Sequence, residues 1–417
     1  MNEELLNKYA RNNKVRSLVC GALRSCALLC ATGIFMQTFL IELGFGSSLI
    51  YINSTLVQAA NVVTILLGSR WADVGNIFKR TGFTQIVMGI LTLCYLPFCI
   101  WKPTGETMLI VSFVAVTAIS VLQSICTGLY TVCEYKMPYY TYRAEDYGTL
   151  TAISGVLSSG ISFLSGIIMS ALSEKFDYVS IMFFALMLSV VMFGVATLLI
   201  IYQKSLIGDG DSGESVSSRK KVPYSKVLRH PAFKKVWPIH LMRGFSQGLF
   251  TIFAVVAIDL GFDTTVTTMM VSVSSVAGVI GCTAFGVMSK SLSPRLALLL
   301  GNLTFLALPL MLIPNKLVFL TAYAVVMFGK SLIDYGAVTL MRFLVPLEIA
   351  GPYNAWRMML CNAGSLLITT LASFSFMSPT ILIAITLVTG LISGIGYFSI
   401  KVIRESSPLR TRDRIHR

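Results

Sequence analysis

Twelve apolar stretches, each about long enough for a helix to cross a bilayer, follow one another along this 417-residue chain. A spanning helix takes roughly 20 mainly apolar residues. The stretches fall near 17–41, 49–69, 83–101, 107–133, 148–172, 179–202, 237–259, 265–289, 295–313, 317–345, 353–377 and 379–401. Between them the breaks are short and polar, and with 55% hydrophobic and only 12% charged residues the chain lies far from a water-soluble domain of its length. The fold class that follows is all-α integral membrane, with twelve transmembrane helices. The opening segment MNEELLNKYARNNKVR is polar, and the apolar run behind it is too long for a signal-peptide core, so it should remain as the first span. All nine cysteines fall within apolar stretches and read as small core residues rather than as disulfides or metal ligands.

The distribution of Lys and Arg orients the chain. With the N-terminus inside, the inner breaks hold Lys8, Arg11, Lys14, Arg16, Arg70, Lys79, Arg80, Arg143, Lys290, Arg295 and Arg357, followed by a basic tail from Lys401 to Arg417. The opposite face holds only Lys102, Lys175 and Lys316. This positive-inside pattern puts both termini in the cytoplasm of a multi-pass cell-membrane protein. It also accounts for the net charge of +14 through inner loops that face anionic lipid, with no nucleic acid as partner.

One long polar interruption, Gln203 to Lys235, divides the spans six and six. Its Gly/Ser/Asp-rich first part reads as flexible; its basic second part, with Pro223 and Pro231, is either a surface helix on lipid headgroups or a solvated linker. The domains are therefore a six-helix bundle over 1–202, a basic linker over 203–236, a second bundle over 237–402 and a tail over 403–417. The halves resemble each other in parallel order. IELGFGSS at 41–48 matches AIDLGFDT at 257–264, and GILTLCYLP at 89–97 matches GNLTFLALP at 301–309. Gly128, Thr131 and Pro138 match Gly336, Thr339 and Pro346, and Gly148, Ala152 and Leu157 match Gly351, Ala355 and Leu360. Four blocks in one order indicate duplication, a plan known among secondary transporters, whose sites lie at the repeat interface near the bilayer midplane.

With these features the chain resembles the major facilitator superfamily over essentially its whole length. That family carries a Gly-x-x-x-Asp-Arg-x-Gly-Arg-Arg type signature after the second span, and SRWADVGNIFKR at 69–80 keeps Asp73, Gly75, Lys79 and Arg80 of its character. Ser69 replaces the first Gly and Val74 the Arg, and GVMSKSLSPR in the second half has Lys290 where the acid would be. The resemblance implies two pseudo-symmetric bundles around a central cavity, with the first, fourth, seventh and tenth spans lining it. It also implies an inner gate in which Asp73 holds the bundles together, with Arg80, Arg143 and Arg342 beside it. Proton-antiport drug exporters of the family usually carry an Arg deep in the fourth span and a Gly-Pro in the fifth. Here LQSICTGL offers Ser124, and GVLSSGISFLSG has no Pro, which turns the expectation toward uptake.

A charge deep in hydrocarbon costs roughly 2.5–3.5 kcal/mol on insertion scales, so each one is a functional suspect. Arg24 and Arg243 are near repeat equivalents, ~8 Å inward of their span centres at the helical rise. Glu134 matches Arg342, while Lys330 and Asp334 are central and one turn apart on one face. Gln37, Gln123 and Gln247 lie on the same set of spans and can hydrogen-bond a polar solute. The substrate-binding set is thus Arg24, Gln37, Gln123, Arg243, Gln247 and Lys330. Asp334 and Glu134 carry ion coupling, since a carboxylate beside a Lys can take up and release a proton as the cavity opens and closes. Family exchangers of organophosphates look similar in placing one Arg on each of the first and seventh spans. Two alternatives stay open: the arginines snorkel to the interface, and Lys330 with Asp334 is a purely structural pair.

There is no GxxxxGK[ST] phosphate loop, and His230, His240 and His416 lie in the linker, at a span entrance and in the tail, leaving no His-based metal or catalytic group at membrane depth. The expectation is a carrier rather than an enzyme, without cofactor or metal. It moves a small polar or anionic organic solute by ion-coupled alternating access, with the solute, a proton or sodium ion and membrane lipid as partners, and is a monomer. The alternatives are a neutral sugar symporter and a lipid or drug transporter of the same fold.

Overall fold

The computed structural model describes residues 3–68, 71, 76–101, 103, 105–141, 147–206, 224–291, 293–344, 347–374 and 377–400. Among these, ten helices are long and apolar enough to cross a membrane, and Pro231–Thr251 with Phe253–Asp259, bent by 59°, makes an eleventh. Leu347–Ala372, the eleventh in chain order, completes the set of twelve. Asn354, Arg357 and Asn362 dilute its apolar content, and it can carry them because it packs between helices of both halves. In chain order the spans are Glu3–Ala31 continued by Gly33–Glu42, Ser47–Gly68, Ile77–Leu93 continued by Leu96–Ile100, Glu106–Lys136, Tyr147–Ser173 and Tyr178–Ile201. The second half runs through the bent seventh span, then Thr264–Ser291, Pro294–Leu303 with a 3-10 stretch Thr304–Leu312, Lys316–Leu344, Leu347–Ala372 and Pro379–Ser399.

Several helices begin before their apolar stretches. The polar turns of the first span are fixed by Asn13, whose amide donates to Lys204 O at 2.6 Å, and by Arg16, which donates to Tyr202 O. The seventh starts at Pro231, suited to a first helical position, with the His230 ring accepting from the Ala232 N–H at 3.3 Å. The linker therefore ends sooner than hydropathy suggests. Its basic part includes a short helix, Tyr224–Arg229, with Val227 fully buried.

Packing repeats with a shift of six. The first span packs on the fifth and sixth, the second on the fourth, and the third on the fourth and sixth. Likewise the seventh packs on the eleventh and twelfth, the eighth on the tenth, and the ninth on the tenth and twelfth. The halves meet through the fifth with the eighth and the second with the eleventh. The repeat extends to single turns. Gly44 and Gly261, in the matched LGF triplets, have φ of 90° and 89°, a conformation open to glycine at little cost. Each ends its helix with the same bonds: Phe45 N to Leu40 O and Gly44 N to Ile41 O, against Phe262 N to Ala257 O and Gly261 N to Ile258 O.

At the face opposite the N-terminus the halves are sealed to each other. Both the first and seventh spans break there, at Thr32–Gly33 and Leu249–Ile252. Gln37 Nε2 donates to the Thr251 carbonyl at the second break. Thr38 and Thr267 share a buried hydroxyl bond at 2.9 Å, and the Asp259 carboxylate accepts from Ser47 at 2.5 Å and from Tyr51 at 2.6 Å. Asp259 is the repeat counterpart of Glu42, which is exposed.

Asp259→Ala removes both carboxylate acceptors from the seal. At an exposed, water-screened site a hydrogen bond contributes at the low end of the usual range, about 0.7 kcal/mol each, or about 1.4 kcal/mol for the two. The sealed population should fall about tenfold. Leu29 lines the space between the halves behind the seal, and a Leu29→Cys reporter in a cysteine-free background should then react about tenfold faster with an impermeant thiol reagent applied from the sealed face; an unchanged rate would show that Asp259 does not hold the halves together.

Candidate functional site

His240, Arg243 and Gln247 are spaced three and four residues apart on the seventh span and so form one stripe. That stripe is brought close to the eleventh span where Gly244 meets Gly364. A Cβ at Gly244 would lie 2.2 Å from the Cys361 carbonyl oxygen, and one at Gly364 2.5 Å from the Leu241 carbonyl oxygen. No side chain larger than hydrogen permits that backbone approach.

The stripe converges on one carboxylate of the tenth span. Arg243 Nη2 donates to Asp334 Oδ1 at 2.5 Å and Gln247 Nε2 to the same oxygen at 2.9 Å, while Lys330 Nζ, one turn earlier, donates to Oδ2 at 2.8 Å. Arg243 is 5% exposed, so it faces inward and does not snorkel. The side chains of Lys330 and Asp334 keep 31% and 37% of their surface. Lys330 also stands 5.9 Å from the Phe250 ring centroid. Two cations against one carboxylate leave one positive charge in the cluster. Arg243 Nε and Nη1 are buried without hydrogen-bond partners, so the guanidinium has donors to spare.

Behind Arg243 lies a group that hydropathy misplaces. Because the seventh helix starts at Pro231, His240 is more than two turns inside it and fully buried, not at an entrance. Its Nδ1 pairs with Tyr397 Oη at 2.7 Å and its Nε2 with Tyr353 Oη at 3.4 Å. Arg357, assigned by hydropathy to an inner break, is 3% exposed because the eleventh helix begins at Leu347. The i, i+3 spacing of His240 and Arg243 was the available sequence signal.

A cavity of about 430 Å³ opens between the halves, on the N-terminal side of the seal, and reaches the tenth span at Ser331, the residue after Lys330. Its wall takes Ser25 and Thr32 from the first span and Ser158, Ser159 and Ser162 from the fifth. From the second half come Ser274 and Ser275 of the eighth span and Ser331 of the tenth. Ser331 precedes Asp334 by three residues and shares its helix face. Sequence reasoning passed over these serines because each alone is an ordinary small residue of a packed membrane helix.

The other sequence-derived residues lie elsewhere. Arg24 stacks over Tyr130, 3.4 Å from its ring centroid, within the first half and off the cavity wall. Gln37 belongs to the seal. Gln123 is buried between the third and fourth spans, donating to Thr92 Oγ1 at 3.2 Å and accepting from Tyr95 Oη at 3.2 Å. Glu134 is exposed near the end of the fourth span. Arg80 stacks over Trp71 and donates to its carbonyl. Asp73, Arg143 and the side chain of Arg342 lie outside the described residues.

Comparison with known proteins gives one family and one fold. The model of the Major Facilitator Superfamily matches residues 17–369. No curated protein matches the sequence. Among solved structures, a bacterial homologue of the iron transporter ferroportin in an inward-facing state superposes with a TM-score of 0.69 at 14% identity, over 92% of this chain and 97% of that one. A D-xylose-proton symporter gives 0.68 at 11%, over 94% and 98%, and a nucleoside transporter 0.65 at 9%, over 93% and 98%. Among the described residues no three His, Cys, Asp or Glu side chains are grouped to hold a metal ion.

Removing one partner of a fully buried ion pair costs about 3–5 kcal/mol because the other charge is left bare; here Arg243 is buried but the Asp334 side chain is 37% exposed, so water screening reduces the cost. Asp334→Ala should therefore lower the unfolding temperature in detergent by several degrees, and adding Arg243→Ala should restore part of the loss. Losses that simply add would show that the two side chains are not coupled.

Proposed function

The chain belongs to the major facilitator superfamily, and from that membership we propose that it is a secondary carrier that takes up a small organic anion with a proton by alternating access. It is a multi-pass membrane protein of the transporter fold; cargo, coupling and sidedness are the parts proposed. Cytoplasmic termini, read from the positive-inside pattern, make the sealed face the outer one and the conformation inward-facing.

The observation that carries the reading is the Asp334 cluster: one carboxylate held by three donors, with one positive charge in excess, on the tenth span, which borders a cavity between the halves at Ser331. In a low-dielectric setting an excess cation draws an anion. Lys330, partly exposed and flexible, is the member able to turn toward the solute. When it does, Oδ2 of Asp334 loses its donor and becomes a free acceptor on which a proton from the same compartment can settle. Solute and proton then enter together, their charges cancel, and the loaded cavity carries the same single positive charge as the empty one. On the other side the steps reverse: the solute leaves, Lys330 returns and the proton departs. Linkage requires that each ligand favour the other equally. A neutral sugar symporter is the second reading, favoured by the hydroxyl groups of the cavity wall.

In proteoliposomes, Asp334→Asn should abolish accumulation driven by a pH gradient yet retain counterflow exchange, which needs no net proton movement. Gradient-driven accumulation at the unmodified rate in that variant would remove Asp334 from the coupling step.

A further inference from the structure

The cavity wall points to the class of solute. We propose that it recognises a polyhydroxylated organic anion of the sugar-acid type, its hydroxyl hydrogens donated to the serine wall and its carboxylate directed to Lys330. The anionic part rests on the carrier reading above; the hydroxyl part rests on the cavity.

The reason is where the wall's own hydrogens go. Ser162 donates to Ser158 O at 2.9 Å, Ser274 and Ser275 both donate to Val271 O at 2.9 and 2.7 Å, and Ser331 donates to Met327 O at 3.2 Å. Thr32 does the same to Leu28 O at 2.7 Å. A hydroxyl whose hydrogen is committed to a backbone carbonyl offers only lone pairs. The second-half wall is therefore a surface of acceptors, and its complement is a solute rich in O–H donors. On the first-half side Ser25 and Ser158 share one bond at 2.9 Å, which leaves one of their two hydrogens free. An anionic group gains nothing from the second-half serines, because it brings acceptors to acceptors, and the cations Arg243 and Lys330 of that half are in the cluster. That half thus supplies acceptors along its wall and a charged donor beside it, which matches a chain of hydroxyl groups ending in a carboxylate. A volume of about 430 Å³ is at the small end of the range for small-molecule sites, roughly 300–1,000 Å³.

Close helix packing explains part of the small-residue pattern but not this part. The fifth and eighth spans touch where a Cβ on Gly166 would lie 2.3 Å from Ser272 Oγ, and neither of those two residues lines the cavity. Ser158, Ser159 and Ser162 lie on the N-terminal side of that contact on the fifth span and line the cavity.

Gluconate, sorbitol and hexanoate test the assignment. They share a six-carbon chain and carry, respectively, both features, only the hydroxyls and only the carboxylate. Isothermal titration of the purified full-length chain should show gluconate binding at least tenfold more tightly than either of the others. Ser274→Ala with Ser331→Ala should weaken gluconate and sorbitol about tenfold, two hydrogen bonds' worth, without moving hexanoate or the unfolding temperature. Lys330→Ala should erase the advantage of gluconate over sorbitol. Hexanoate equal to gluconate would overturn the hydroxyl assignment and leave the anion carrier standing. Sorbitol equal to gluconate would overturn the anion, and with it the carrier reading in favour of the neutral-sugar one. Failure of all three to bind at millimolar concentration would overturn the class.

Discussion

Hydrocarbon offers no hydrogen-bond partners, so every peptide group that crosses the bilayer must find its partner inside the protein. Continuous helices meet that demand by themselves. The consequence is visible at the bend of the seventh span, where the released carbonyl is taken up by the other half, and in side-chain hydroxyls, which need partners as peptide groups do. The carbonyl of Thr251, at the bend of the seventh span, is met by Gln37 from the other half, and serine hydroxyls along the fifth, eighth and tenth spans turn back onto carbonyls of their own helices. The same rule thus produces rigid rods, a cross-link between the halves and a cavity wall of acceptors.

Charge follows a stricter version of that rule. Arg243 can be 5% exposed because Asp334 answers it, and Asp334 can serve a second cation because a carboxylate has two oxygens and several lone-pair sites. The cluster lies wholly within the second half, between the seventh and tenth spans, so a movement of one half against the other need not pull those two helices apart.

The sequence made the architecture legible because hydrophobic length and duplication are written over hundreds of residues. The LGF triplets at 43–45 and 260–262 became two turns with the same φ and the same bonds. Lys330 with Asp334 was legible too, since an i, i+4 spacing in the middle of an apolar run has one geometric meaning. What hydropathy could not supply was helix beginnings made of polar residues. That gap misplaced both His240 and Arg357, each of which lies more than two turns inside a helix that starts earlier, at Pro231 and at Leu347. Nor could sequence give partners between halves. Asp259 with Tyr51, and the seven serines of the cavity, are separated by long stretches of chain and have no shared period; they meet only because two copies of a bundle face each other.

The seal opposite the N-terminus consists of hydroxyls, one amide and a single carboxylate, with no cation across the joint among the described residues. Each of these bonds can be replaced by water one at a time as the halves part, so the joint opens like a zipper rather than snapping like a latch.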